Sequence, residues 1–143
     1  MTVKDTDLGF KALMSFLGKK RTVAVLVGIR GDKGSDLVQY AAANEFGTAR
    51  IPERSFLRST VISKQHRYIR LIREAVRKLL DGFSPDIAFG RLGMLAVADV
   101  QRTIRNRVPP PNAPLTIARK GSDVPLIDTG RMRQSIDYVV EVA

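Results

Sequence analysis

A chain of 143 residues with 24 Lys and Arg against 14 Asp and Glu carries a formal net charge of +10, with 44% hydrophobic residues, 6% aromatic residues and no cysteine. That length fits one domain around one modest core, and the missing cysteine excludes a disulfide frame, a thiolate metal site and a cysteine nucleophile. No apolar run approaches the ~18 residues of a membrane span, and the charged start, with Lys4, Asp5 and Asp7, lacks a secretory pattern, so a soluble, intracellular protein with no membrane partner is expected.

Leu8, Leu13, Phe16 and Leu17 space a first helix near 7–17, ending at Gly18 inside an N-terminal region, 1–20, expected to be mobile. Thr22 to Ile29 is a β-branched run and the clearest strand in the chain. Arg30-Gly31-Asp32-Lys33-Gly34 is a turn-rich loop, after which Ser35 or Asp36 caps an alanine-rich helix over 35–46. The Arg-Gly-Asp triplet reads as a loop that needs glycine rather than as an adhesion ligand. The glycines from Gly28 to Gly34 match neither a Walker loop nor a dinucleotide fingerprint, so no cofactor is expected.

Between Arg50 and Leu80, nine basic residues stand against only Glu53 and Glu74. Helical spacing over 55–80 puts Val61, Gln65, Tyr68, Ile69, Ile72, Val76 and Leu79 on one side, predicted to face the core. Lys64, Arg67, Arg70, Arg73, Arg77 and Lys78 fall on the other, with Leu71 the one apolar residue among them. That basic side is either a solvated face or a surface that meets DNA or an acidic protein through counterion release or charge pairing. His66, the single histidine, falls among the arginines and reads as a surface residue.

Asp81-Gly82 ends this helix and Ser84-Pro85 opens the next, over 86–105, which should form an antiparallel pair with it. There Ile87, Leu92, Ala96, Val97, Val100 and Ile104 are predicted inward, and Asp99, Arg102 and Arg105 outward. Pro109-Pro110-Pro111 stiffens a loop over 108–125, interrupted by a helical turn from Asn112-Ala113-Pro114 through Ala118. A closing strand follows over 135–142. The fold class is therefore α+β in a single domain, 1–143: a small, mostly antiparallel sheet (strands near 22–29 and 135–142) packed with the two long helices and the shorter ones.

Asp128-Thr129-Gly130 after Leu126-Ile127 admits two readings: half of an aspartic-protease dyad, or a cap by Asp128 or Thr129 on a turn that feeds the last strand. Aspartic-protease subunits are β-rich and follow the triplet with a small residue. Here Arg131 follows, a cation that opposes proton sharing between two carboxylates, and long helices do not suit a protease sheet. Asp128 is therefore expected to be structural. No catalytic or metal-binding constellation remains, and a non-enzymatic protein is expected.

Two stretches taken together point to a family. Tyr40-Ala41-Ala42-Ala43-Asn44-Glu45-Phe46-Gly47-Thr48 runs into Ile51-Pro52-Glu53-Arg54-Ser55-Phe56-Leu57-Arg58. Pro125 to Ile136, containing Leu-Ile-Asp-Thr-Gly-Arg-Met-Arg-Gln-Ser-Ile, comes later, with Asn112-Ala113-Pro114-Leu115-Thr116 between. The combination resembles the small neck and tail-completion (virion morphogenesis, head-tail joining) proteins of tailed bacteriophages, with Ser55 where such proteins often carry a second proline. The resemblance implies a structural subunit of a homo-oligomeric ring, sixfold or twelvefold, at the head-tail junction of the virion, assembled in the host cytoplasm. Such a ring joins or completes the tail and surrounds the DNA path. Its implied partners are copies of itself and other neck, portal-adaptor or tail proteins, with DNA in the channel met without sequence specificity.

On this reading Phe46, Arg50, Arg54, Phe56, Arg58, Asp128 and Arg131 are the expected subunit-interface residues. Lys64, Arg67, Arg70, Arg73, Arg77 and Lys78 are the candidate contacts to DNA or an acidic surface. The competing reading, drawn from the charge of +10, is a stand-alone nucleic-acid-binding module acting through the helix over 60–80.

Overall fold

The β-branched run forms strand β1, Val23–Gly28, which pairs antiparallel with the closing strand β2, Asp137–Val142, in the register Val25↔Val140. Thr22 and Ala143 exchange both backbone hydrogen bonds, at 2.7 and 2.9 Å, and lengthen the ladder by one pair. These details come from a computed structural model, which describes residues 11, 14, 15 and 18 and the stretches 22–126 and 129–143. Lys11, Met14, Ser15 and Gly18 are helical, and the rest of the helix expected near 7–17, with the remainder of the 1–20 region, lies outside the described residues.

Between the strands come a 3-10 turn, Gly31–Lys33, and helices α1 (Ser35–Phe46), α2 (Leu57–Leu80), α3 (Pro85–Arg105), α4 (Pro114–Lys120) and α5 (Arg131–Gln134). The expected α+β class is thus the observed one: a small antiparallel sheet packed with two long helices and shorter flanking ones. Boundaries differ in instructive places. Ser35 and Asp36 do not cap α1, whose N-cap position is Gly34 with no side-chain bond, and Asp36 lies in the first turn, where its charge favours the helix dipole. Ser135 ends α5 instead of opening the last strand. At the start of α3 the sequence signal holds: Ser84 Oγ accepts from the Ile87 N–H at 3.4 Å, with Pro85 in the first turn.

Paired residues share a sheet face, so Val23, Val25 and Val27 stand beside Val142, Val140 and Tyr138. Val23, Val25, Val27 and Val140 pack against a core built from α2 and α3: Tyr68, Leu71 and Ala75 meet Ala88, Phe89 and Leu92. A missing side chain on α3 sets the spacing to the sheet. A Cβ on Gly93 would stand 2.1 Å from Cδ2 of Tyr138, so the Tyr138 ring lies directly against the helix backbone. The far half of α3, Val100 and Ile104, enters a second core with Leu37 and Ala41 of α1, Phe56, and Leu126, Met132 and Ile136. Val27 touches both cores.

Because α3 is covered on one side by α2 and on another by the sheet, its buried face is wider than an amphipathic stripe. Asp99, predicted outward, is buried, while Ile87, predicted inward, is 60% exposed. No helix among the described residues is long and apolar enough to cross a membrane.

Candidate interaction surface

The stretches Tyr40–Thr48 and Ile51–Arg58 fold into one unit around a carboxylate. Gly47 ends α1 with φ +75°, and a Cβ there would come within 3.0 Å of the Glu53 nitrogen, so the position needs glycine twice over. Thr48 Oγ1 then accepts from the N–H groups of Arg50 (3.2 Å) and Ile51 (3.0 Å), and the Arg54 N–H returns to the Asn44 carbonyl at 2.6 Å.

This fold-back aims Glu45 at the start of α2. One of its oxygens accepts from the backbone N–H groups of Phe56 (2.7 Å) and Leu57 (2.8 Å). The other accepts from the Arg58 N–H (2.9 Å) and the Ser55 hydroxyl (2.8 Å). The first N–H groups of a helix have no partner within it, and a negative charge there also favours the dipole. Glu45, only 3% exposed, therefore caps a helix to which it does not belong.

The expected interface residues separate into two groups. Phe56 is fully buried in this chain's own core, and Arg54, 7% exposed, donates from Nε to the Pro110 carbonyl (2.8 Å) and from Nη2 to that of Pro111 (3.1 Å). Phe56 therefore acts inside the subunit, and Arg54 fastens the proline loop to the turn before α2. Phe46, 69% exposed, and Arg50, Arg58 and Arg131 face outward, Arg58 in a short ion pair with Glu53. Asp128 lies outside the described residues. Thr129 accepts through Oγ1 from the Arg131 N–H at 3.4 Å, but the N-cap position of α5 is Gly130, with no side-chain cap bond, so Thr129 does not form the expected cap. Leu126 is buried with φ +64°, a left-handed conformation that costs a leucine ~1–2 kcal/mol.

Helix α2 corrects the sequence reading most. Counting ~100° per residue from Thr60, the buried residues Thr60, Leu71, Ala75 and Tyr68 span an arc of only ~80°. The arc includes Leu71, the one apolar residue assigned to the basic side. Lys64, at about 40°, and Lys78, at about 0°, fall within this arc and Arg67 borders it at about −20°; all three are half-buried rather than outward. Arg67 Nη1 lies 3.1 Å from both oxygens of Asp99, whose side chain is 2% exposed. The Tyr68 hydroxyl donates to the same carboxylate at 3.2 Å, and Arg102 approaches to 4.0 Å. Of the six candidate nucleic-acid contacts, three are thus drawn toward the protein and Arg70, Arg73 and Arg77 remain exposed, with His66 beside them.

Burial, followed by the charge of Asp99, pushes the Tyr68 hydroxyl up to about 12 from 10.0. A tyrosine that ionises later in the folded than in the unfolded state stabilises the fold below the unfolded value, and that contribution is lost as pH rises from 10 through about 12. Between those limits the wild-type chain should lose about 1.4 kcal/mol per pH unit relative to Tyr68→Phe. Urea unfolding of both proteins at stepped pH measures the difference.

Of the side predicted to be core, Tyr68 is buried and Leu79 packs against the core, but Val61, Ile69, Ile72 and Val76 belong to a third, exposed arc. Val61, Ile62, Ile69, Ile72, Val76 and Leu80 are between 37% and 61% exposed and run the length of the helix at about 100–200° from Thr60. Ile72 and Val76 also border an open groove of about 390 Å³ shared with Val23 and Val25 of β1 and Phe89 of α3. The basic arc of Arg70, Arg73 and Arg77 lies alongside. A continuous row of exposed aliphatic residues is the kind of surface that interaction sites present.

Among the described residues no group of three or more His, Asp or Glu side chains could hold a metal ion. Comparison of the chain with protein-family models, with curated proteins and with solved structures finds no match.

Proposed function

We propose that this chain is a structural subunit that assembles with copies of itself into a ring in the neck or tail of a tailed phage, around the DNA path, and performs no catalysis. The observation that carries this reading is the exposed aliphatic row on α2 with a basic arc beside it. The row supplies apolar area for a neighbouring copy, and Arg70, Arg73 and Arg77 supply charge for a polyanion passing the assembly. Phe46 and Leu115, 69% and 83% exposed on other elements, offer apolar side chains away from that row. Contact between unlike patches is what a closed rotational ring requires.

The packing of the motif stretches supports the same reading. Glu45 caps the helix that bears the row, and Phe56, Leu126, Met132 and Ile136, drawn from both halves of the resemblance, share one core. The residues that carry the likeness to neck and tail-completion proteins thus build the frame that presents α2.

Native mass measurement of the purified chain should give a closed oligomer. Changing both Ile69 and Ile72 to Asp should return a monomer with unchanged circular dichroism, because exposed positions cost the fold only about 0.5 kcal/mol each. A chain that stays monomeric at every concentration, or particles imaged by electron microscopy without it at the head-tail junction, would sink the proposal. Salt titration separates it from the competing reading: a stand-alone binder using three arginines would hold duplex DNA as a monomer, with a log-log slope near −3.

A further inference from the structure

A second basic surface lies away from α2. A cleft of about 980 Å³ opens between α1, the loop after it, the proline loop, α4 and the start of α5, and none of its lining residues belongs to α2. Arg50, Arg54, Arg119, Lys120 and Arg131 line it, with Asp36 the one carboxylate among the described lining residues. Its walls are otherwise substantially apolar, with Leu37, Tyr40, Ile51 and Met132 among them.

Among the described residues, the cations of this cleft lack internal counter-charges. Arg54 is the most telling, because it is 7% exposed and, among the described residues, its guanidinium bonds only to neutral carbonyls, those of Pro110 and Pro111. The acidic residues close to it in sequence are committed elsewhere, Glu45 to the start of α2 and Glu53 to Arg58. None of the ion pairs among the described residues involves Arg50, Arg119, Lys120 or Arg131. Asn112, which also lines the cleft, has a buried side-chain nitrogen without an acceptor. Holding a guanidinium away from water without a counter-charge is costly, and a cleft rich in donors and poor in acceptors recovers that cost when an anion enters.

We infer that this cleft is a docking site for an acidic peptide segment of a partner protein, with a carboxylate side chain reaching Arg54 and further acidic groups meeting Arg119 and Arg131 at the rim. The recess decides between polyanions. A duplex presents its phosphates on a convex surface and cannot bring one to a guanidinium this enclosed, whereas a side chain on an extended peptide can. The apolar walls suit the aliphatic stems and neighbouring side chains of such a segment, and the volume falls within the ~300–1,000 Å³ of ordinary ligand clefts.

The test uses the full chain and fluorescence anisotropy with a labelled Glu-Ala repeat peptide, a Gln-Ala repeat of equal length and a single-stranded oligonucleotide. The Glu-Ala peptide should bind and the Gln-Ala peptide should not. Arg119→Ala with Arg131→Ala, both exposed, should weaken binding at least about tenfold, while Arg70→Ala with Arg77→Ala should change it by less than about twofold. Equal weakening by the two double variants would mean diffuse attraction to a basic protein and would overturn the site, as would no binding of the acidic peptide at low salt. Displacement of the peptide by the oligonucleotide, lost with the rim arginines, would assign the cleft to nucleic acid instead. The Ile69→Asp, Ile72→Asp protein should retain peptide binding, so failure of the ring proposal and failure of this one read out separately.

Discussion

Replacing Glu45 with alanine should cost the fold about 3–4 kcal/mol, a large share of the ~5–15 kcal/mol that holds a domain of this size together. The side chain is buried and accepts four hydrogen bonds, three of them from backbone N–H groups at the start of α2. Removing it strands three backbone donors, and Phe56, at the N-cap, offers no oxygen in its place. Glu45→Gln is the informative companion. It keeps one acceptor oxygen but turns an NH2 toward backbone donors, so it should recover less than half of the loss. Urea unfolding followed by circular dichroism compares the three proteins, and a loss below about 1 kcal/mol for the alanine variant would show that water replaces the carboxylate.

Asp99→Ala should destabilise by about 3 kcal/mol for a different reason. It leaves Arg67 beside α3 without its carboxylate and the Tyr68 hydroxyl without its acceptor. The cost belongs to the groups left behind rather than to the ion pair itself, because paired charges removed together are often replaced by apolar packing at little cost. Combining Asp99→Ala with Arg67→Met should therefore be less damaging than the sum of the two single changes, with a coupling of about 1–2 kcal/mol. Additive losses would mean that the Arg67–Asp99 contact is too wet to matter.

Much of the architecture was legible in the residues. The β-branched run, the Asp81-Gly82 stop with Ser84-Pro85 behind it, and the proline block gave the strands and the two long helices to within a few residues. The orientation of α2 was not legible, because periodicity finds the most apolar arc of a helix and assumes that the chain's own core covers it. Here the core side is made of Thr60, Leu71, Ala75 and Tyr68, helped by Asp99, which lets Arg67 sit at its margin. The greasier arc is left outside.

The role of Glu45 was hidden for a related reason. Sequence rules look for a cap within the helix that needs it, and this one comes from the end of the preceding helix. The one visible hint was negative, since the residue at the N-cap of α2 is a phenylalanine. Arg54 was misjudged as a surface group because only the folded turn carries it to the carbonyls of Pro110 and Pro111. For Asp128, which lies outside the described residues, the sequence reading stands as an expectation alone.

The pairing of β1 with β2 has a consequence for the order of folding. The strands join Val23 to Val142 across nearly the whole described chain, so they can meet only after a long loop has closed. The hairpin of α2 and α3, by contrast, needs only the short turn between Leu80 and Pro85. The helices therefore have the kinetic advantage, and the sheet is laid onto a finished α3 when Tyr138 finds the space at Gly93. Until the last strand docks, the helical frame is expected to stand without its sheet, its aliphatic row already exposed.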